Sequence, residues 1–177
     1  MKRSYWILVA CLGVLVAGNG RRGQAAAALD DATILAVFDQ ANQTDIVTGR
    51  LGAKYGASED VRMLGRMVAR DHIAVQQMGR DLAKKLDVMP TPPDNDTSIA
   101  DCAKIVALLQ SKRGIEFDRA YLQHEVSYHQ SVVDAMKGTL LPAAKHEDVR
   151  SLLKAVLPGF ESHLAATKAA AAKMGIK

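Results

Sequence analysis

Four stretches of the chain place apolar residues alternately three and four apart, the spacing of a helix that buries one face. The pattern predicts long helices over residues 31 to 55, 59 to 86, 114 to 137 and 147 to 172, with no strand. The first stripe is Ile34, Phe38, Ala41, Asp45, Thr48, Gly52 and Tyr55, and the second is Val61, Leu64, Val68, Asp71, Val75, Met78 and Leu82. The third helix carries two adjacent stripes, Phe117, Tyr121, His124, Tyr128 and Asp118, Leu122, Glu125, His129, Val132, Met136. The fourth runs Val149, Leu152, Val156, Phe160, His163, Thr167, Ala170. Asp30 or Asp31 and Ser58 are placed to cap the first two helices, Gly138 and Pro142 are expected to stop the third, and Pro158 is expected to kink the fourth. Between the second and third helices lie about 27 residues, with a proline-rich connection and a short helix over Ser98 to Gln110. That is enough chain to cross a bundle or to make a hairpin excursion.

Each long stripe is interrupted by groups that do not belong in an apolar core. Asp45, Asp71 with His72 beside it, Glu125, His129 and His163 all stand at or next to core positions. A buried carboxylate or imidazole without a partner costs several kcal/mol, so these groups are expected to find one another. Depth allows it. At about 1.5 Å rise per residue, Asp45, His72, His129 and His163 each fall within roughly 5 Å of the middle of their own helix, whichever way the helices connect.

Charge changes the picture little once it is located. The chain of 177 residues has 23 Lys and Arg against 19 Asp and Glu, but four of the cations, Lys2, Arg3, Arg21 and Arg22, lie in the first 28 residues with no acid among them. The remainder is balanced, which removes a bulk electrostatic case for nucleic acid or a membrane surface. The first 28 residues read as a secretory leader, with a basic start, an apolar run too short for a comfortable membrane span and a small-residue zone at Ala26 to Ala28. Residues 29 to 177 are then the mature domain of an exported, periplasmic or envelope-associated protein without a transmembrane helix. Leu8-Val9-Ala10-Cys11 imitates a lipoprotein box, so lipidation at Cys11 is the alternative processing. Without the leader the single cysteine is Cys102, which is expected to be a buried small hydrophobe.

From about Leu29 to Lys173 the sequence resembles an uncharacterised family of predicted secreted or outer-membrane proteins in the ferritin-like superfamily. The resemblance rests on Asp45-Ile46-Val47-Thr48-Gly49, Met67-Val68-Ala69-Arg70-Asp71-His72, Phe117-Asp118-Arg119-Ala120-Tyr121 with His129, and Leu157-Pro158 with His163-Leu164. The chain departs from it at Asp45, where glutamate is common, and at Glu125, where an uncharged residue is usual. It implies an all-α, ferritin-like four-helix bundle with a short extra helix between helices two and three, in the cell envelope, and no established activity.

Two readings of the polar layer follow. In the first, Asp45, Asp71, His72, Glu125, His129 and His163 form a buried network that fixes helix register. In the second they are ligands to a transition metal, zinc, copper, nickel or iron. The paired Glu-x-x-His motifs of di-iron bundles are missing, and no nucleophile, phosphate-loop or dinucleotide motif is present, so a binding or structural protein is expected rather than an enzyme.

Overall fold

The structure, a computed structural model, describes residues 29–176; the leader, the lipoprotein box and the processing site lie outside the described residues. Among these residues there are helices and no strand. They are α1 (Asp31–Tyr55), α2 (Glu59–Lys85), α3 (Ser98–Gln110), α4 (Gly114–Ala135), a π turn (Met136–Leu140), the short α5 (Leu141–Ala143) and α6 (Glu147–Lys173). No helix is long and apolar enough to cross a membrane.

The starts of the helices follow from local chemistry. Asp30 Oδ1 accepts from the Thr33 amide at 2.8 Å and Ser58 Oγ from the Val61 amide at 3.3 Å, as capping side chains do. At α6 the cap is His146, whose Nδ1 accepts from the Asp148 amide at 3.1 Å. Gly114 opens α4 at a φ of +57°, where a side chain would be strained.

Contacts between helix ends set the order of the bundle. Asp31 accepts from the Lys145 and His146 amides, so the start of α1 lies beside the start of α6. Lys85 pairs with Asp148 at 2.8 Å, placing the end of α2 there too. At the other end, Lys173 pairs with Asp60, and Asp118 accepts from the backbone N–H groups of Ala57 and Ser58 at 2.7 and 2.8 Å. The end of α2 and the start of α4 are therefore at opposite ends. The chain over 86–113 crosses the length of the molecule, with α3 packed against α1 and α4 on the way.

Two apolar clusters result. One contains Ile34, Phe38, Val132, Met136, Leu153 and Phe160, and the other Val61, Val68, Leu109, Phe117, Tyr121 and Leu122. The α1–α2 contact is unusually close. A Cβ at Gly65 would stand 2.3 Å from the Ala53 nitrogen and one at Gly49 would stand 2.9 Å from the Ala69 nitrogen, so backbone meets backbone there.

Three expectations need correction. The stop at Gly138 and Pro142 does not occur: the chain stays helical through the π turn to Ala143. Proline is tolerated because the wider turn already shifts the hydrogen-bond partners, Leu141 N bonding back to Met136 O, and Pro142 occupies the first turn of α5, where an N–H is dispensable. Val61, Leu64 and Val68 of the expected α2 stripe are buried, but the buried face continues through Gly65, Ala69, His72, Gln76, Gly79 and Ala83, so Asp71 is not a core residue and Met78 is 47% exposed. At the closest approach to α1 the face of α2 is small, Gly65 and Ala69, because a larger side chain there would meet the α1 backbone. Cys102 is a free thiol but only half-buried on α3.

Candidate metal centre

The polar layer lies at mid-bundle, where α1, α2, α4 and α6 each contribute. Asp45, His72, Glu125 and His129 have at most 1% of their surface exposed and His163 has 7%. Asp71 is the exception among the six expected residues. Its side chain is 35% exposed, at the mouth of the layer, and it touches the others only through His163.

Each of three imidazoles is held by one nitrogen and leaves the other facing inward. Asn42 Nδ2 donates to Phe38 O at 2.7 Å, which fixes the amide so that its Oδ1 accepts from His72 Nδ1 at 2.8 Å. His72 Nε2 is then a bare lone pair. His129 Nδ1 lies 3.1 Å from the Glu125 carbonyl oxygen and donates to it, which leaves Nε2 bare, buried and without a partner. His163 Nε2 donates to Asp71 Oδ2 at 3.1 Å, because Asp71 is an ionised acceptor whose pKa is held down first by Arg70, at 2.7 Å, and then by His163. His163 Nδ1 then faces His72 Nε2 at 3.1 Å, a contact of two lone pairs unless a proton or another cation lies between them. Two lone pairs at that distance repel.

The carboxylates lie against this trio. Asp45 Oδ2 is 3.5 Å from His72 Nε2, and Glu125 Oε2 is 3.4 Å from His129 Nδ1. All four oxygens of Asp45 and Glu125 are buried without a hydrogen bond, and so is the Tyr121 hydroxyl. The hydroxyls of Thr48 and Tyr121 are close enough to Glu125 to hold its pKa down somewhat, yet stand outside hydrogen-bond geometry. One ligand atom from each of His72, His129 and His163 lies within 4.8 Å of the others, and the same holds for Asp45, Glu125 and His129.

Burial sets the protonation of the layer. It pushes the His72 pKa down to about 2, with help from His129 and His163, and the His129 pKa to about 4, with help from His163, so both rings are neutral near pH 7. The carboxyls of Asp45 and Glu125 move the other way: burial raises both, and for Asp45 the neighbouring Glu125 adds to it. Burial also raises Tyr121, with the two carboxylates next.

The profile of a domain of unknown function, DUF4142, matches residues 18–170. The chain belongs to this family. No curated protein and no solved structure matches it. Membership brings a shared fold region without an activity, so chemistry has to be argued from the layer itself.

The structure thus gathers five of the six expected residues in one contact network, with Asp71 as an outer partner. Sequence reasoning missed Asn42, whose side chain sets the His72 tautomer. Its signal was present, since Asn42 stands four after Phe38 and three before Asp45 on the same face of α1. His124 is buried too, but it stacks near Tyr128 with its Nε2 unpartnered and belongs to neither ligand group.

Proposed function

We propose that this DUF4142 chain is an exported, envelope-located helical-bundle protein that binds a transition metal, with His72, His129 and His163 as imidazole ligands and Asp45 as the adjoining carboxylate. One observation carries the reading: three buried imidazoles, each anchored through one nitrogen, lie in one cluster with the buried oxygens of Asp45 and Glu125, which accept no hydrogen bond, and with His129 Nε2, which has no partner. Metal-ligating histidines are oriented in this way, through Asn42, a backbone carbonyl and Asp71 here. The His72–His163 and His72–Asp45 separations, 3.1 and 3.5 Å, straddle the edge of about 3.3 Å that a tetrahedron with Zn–N bonds of about 2.0–2.1 Å would have. Neutral imidazole with one or two carboxylates suits zinc, copper, nickel or iron. The single long crossover supports the ferritin-like class of bundle, and the basic, apolar and small-residue zones of residues 1–28 support export. The role is binding, with no catalytic step assigned.

A second reading keeps the layer as a metal-free register device. It is supported by the same outer hydrogen bonds and by the 3.1 Å approach of His163 Nδ1 to His72 Nε2, which lies at hydrogen-bond distance. It leaves Asp45 and Glu125 unpartnered.

Elemental analysis of tag-free protein from its native compartment, followed by thermal unfolding with and without Zn²⁺, separates the two. The expectation is about one equivalent of metal and a stabilisation of about 2.7 kcal/mol at a hundredfold excess over Kd. His72→Ala and His129→Ala should abolish that gain, while His124→Ala should keep it. Metal-free protein whose unfolding is unchanged by zinc, copper, nickel and iron would sink the metal reading.

A further inference from the structure

Away from the polar layer, the outer face of the α1–α2 pair carries a concentration of positive charge that the rest of the chain does not share. Arg50 and Lys54 stand four apart on α1, and Arg66 and Arg70 stand four apart on α2. Like charges at that spacing disfavour each helix on its own. The glycine seam then brings the two rows together, because Gly49 and Gly65 let the helices touch backbone to backbone one position away from Arg50 and Arg66. All four cations line one groove of about 590 Å³.

The acids nearby do not balance them. Glu59 reaches Arg66 at 2.6 Å but also holds Arg62, and Asp71 reaches Arg70 at 2.7 Å but also accepts from His163. Among the described residues Arg50 and Lys54 have no acidic partner; the Lys54 ammonium only lies 5.0 Å over the Tyr55 ring. Residues 29–177 are balanced in charge overall, so an excess confined to one groove is a local arrangement and not a by-product of composition. Between the cations the groove is apolar, lined by Ala53, Ala69 and Ile73, the last 45% exposed.

We propose that this groove binds a phosphate-bearing anion, held by Arg50, Lys54, Arg66 and Arg70, with any apolar part of the ligand lying along Ala53 and Ile73. Guanidinium forks match phosphate oxygens in pairs, and a lysine beside them supplies a point charge, which is the chemistry four converging cations offer. A lipid headgroup and a free phosphate share that chemistry. The groove meets the imidazole cluster only through Arg70, whose partner Asp71 also holds His163, and Arg50 and Lys54, which are varied below, have no such link.

The test uses the mature chain with two probes: inorganic pyrophosphate in calorimetry, and sedimentation with phosphatidylcholine vesicles with and without phosphatidylglycerol. Arg50→Glu/Lys54→Glu is compared with Lys84→Glu/Lys154→Glu, which has the same net charge but changes exposed lysines elsewhere, and circular dichroism establishes that both are folded. The expected result is binding to at least one probe, weakened about tenfold or more in the groove variant and little changed in the control. Pyrophosphate binding names a soluble ligand, and phosphatidylglycerol-dependent sedimentation alone names a lipid headgroup. Equal loss in both variants would show a net-charge effect only and overturn the proposal, as would failure of the wild-type chain to bind either probe.

Discussion

Asp118 at the start of α4 and Asp45 at mid-bundle are both aspartates with no exposed surface, and they are in opposite conditions. Asp118 uses its two oxygens to accept the Ala57 and Ser58 amides at 2.7 and 2.8 Å, clasping the turn between α1 and α2. Asp45 and its neighbour Glu125 accept no hydrogen bond at all. Burial alone therefore does not mark a ligand site. A buried carboxylate with every oxygen satisfied is a structural part, whereas a pair with none satisfied, beside three clustered imidazoles, is the arrangement from which the proposed cation site is argued.

The largest effect that follows is on stability. Asp118→Ala removes both acceptors from two N–H groups and should cost about 2–4 kcal/mol in urea unfolding, with or without metal, since charge-assisted bonds contribute about 1.5–3 kcal/mol each. Glu125→Gln exchanges a buried carboxyl that keeps its proton near neutrality and accepts no hydrogen bond for an amide of the same shape, so the metal-free protein should stay within about 1 kcal/mol of wild type or become more stable. A large loss in metal-free Glu125→Gln would erase the distinction between the two regions.

A smaller effect appears in the pH profile of the metal-free protein. Asp45 and Glu125 keep their protons in the folded state above the unfolded values of 3.8 and 4.5, so their contribution falls as pH rises from there through neutrality. His72 and His129, lowered to about 2 and about 4 from 6.5, act in the opposite sense, their contribution being lost as pH falls below 6.5. Between roughly pH 4.5 and 6.5 the two slopes oppose each other and stability should be nearly flat. Above that only the carboxylate limb remains, so stability should decline with pH. Bound metal displaces the protons and should remove the alkaline decline, and Glu125→Gln should reduce it without metal. Chelator-treated wild type that gains stability between pH 6.5 and 8 would contradict the assignment.

The smallest effect concerns the edge of the layer. Asp71→Asn leaves every proposed ligand in place and loosens only the outer hold on His163. It should weaken metal binding by about 10- to 100-fold, the usual consequence of losing an outer hydrogen-bond partner, while stability without metal changes little. Zinc competition titrations would measure it, and an unchanged affinity would show that Asp71 is a bystander.

Periodicity made the four long helices legible because large apolar residues dominate three of their buried faces. On α2 the same weighting found Val61, Leu64 and Val68 but missed Gly65, Ala69, Gly79 and Ala83, which are buried, and took in Met78, which is not. A close helix contact selects small side chains, and a count of hydrophobic bulk does not register them. Asp118 shows a second kind of blindness. Its position in the third stripe was visible, but its partners are backbone groups some sixty residues away, which no side-chain pattern encodes. The mid-bundle residues were legible for the opposite reason, since charges inside apolar stripes are costly enough to stand out singly. The direction in which each ring nitrogen points became readable only with Asn42 and the Glu125 carbonyl in place.

The π turn at Met136–Leu140 has a consequence for how the chain tolerates change in length. One extra residue in a helical turn rotates everything after it by about 100° relative to an uninterrupted α-helix. Met136, Leu140 and Ala144 are buried with that offset in place, and Arg150 closes the segment by donating to the Ala144 carbonyl. The turn acts as a phase adjuster between the helix that carries Glu125 and His129 and the link into α6. Gly138 lies inside that turn, and a Cβ there would meet nothing within 4 Å. A single-residue deletion there would restore ordinary α-helical phase and swing the downstream apolar residues off the core. The same deletion in the proline-rich connection after α2 would only shorten a loop.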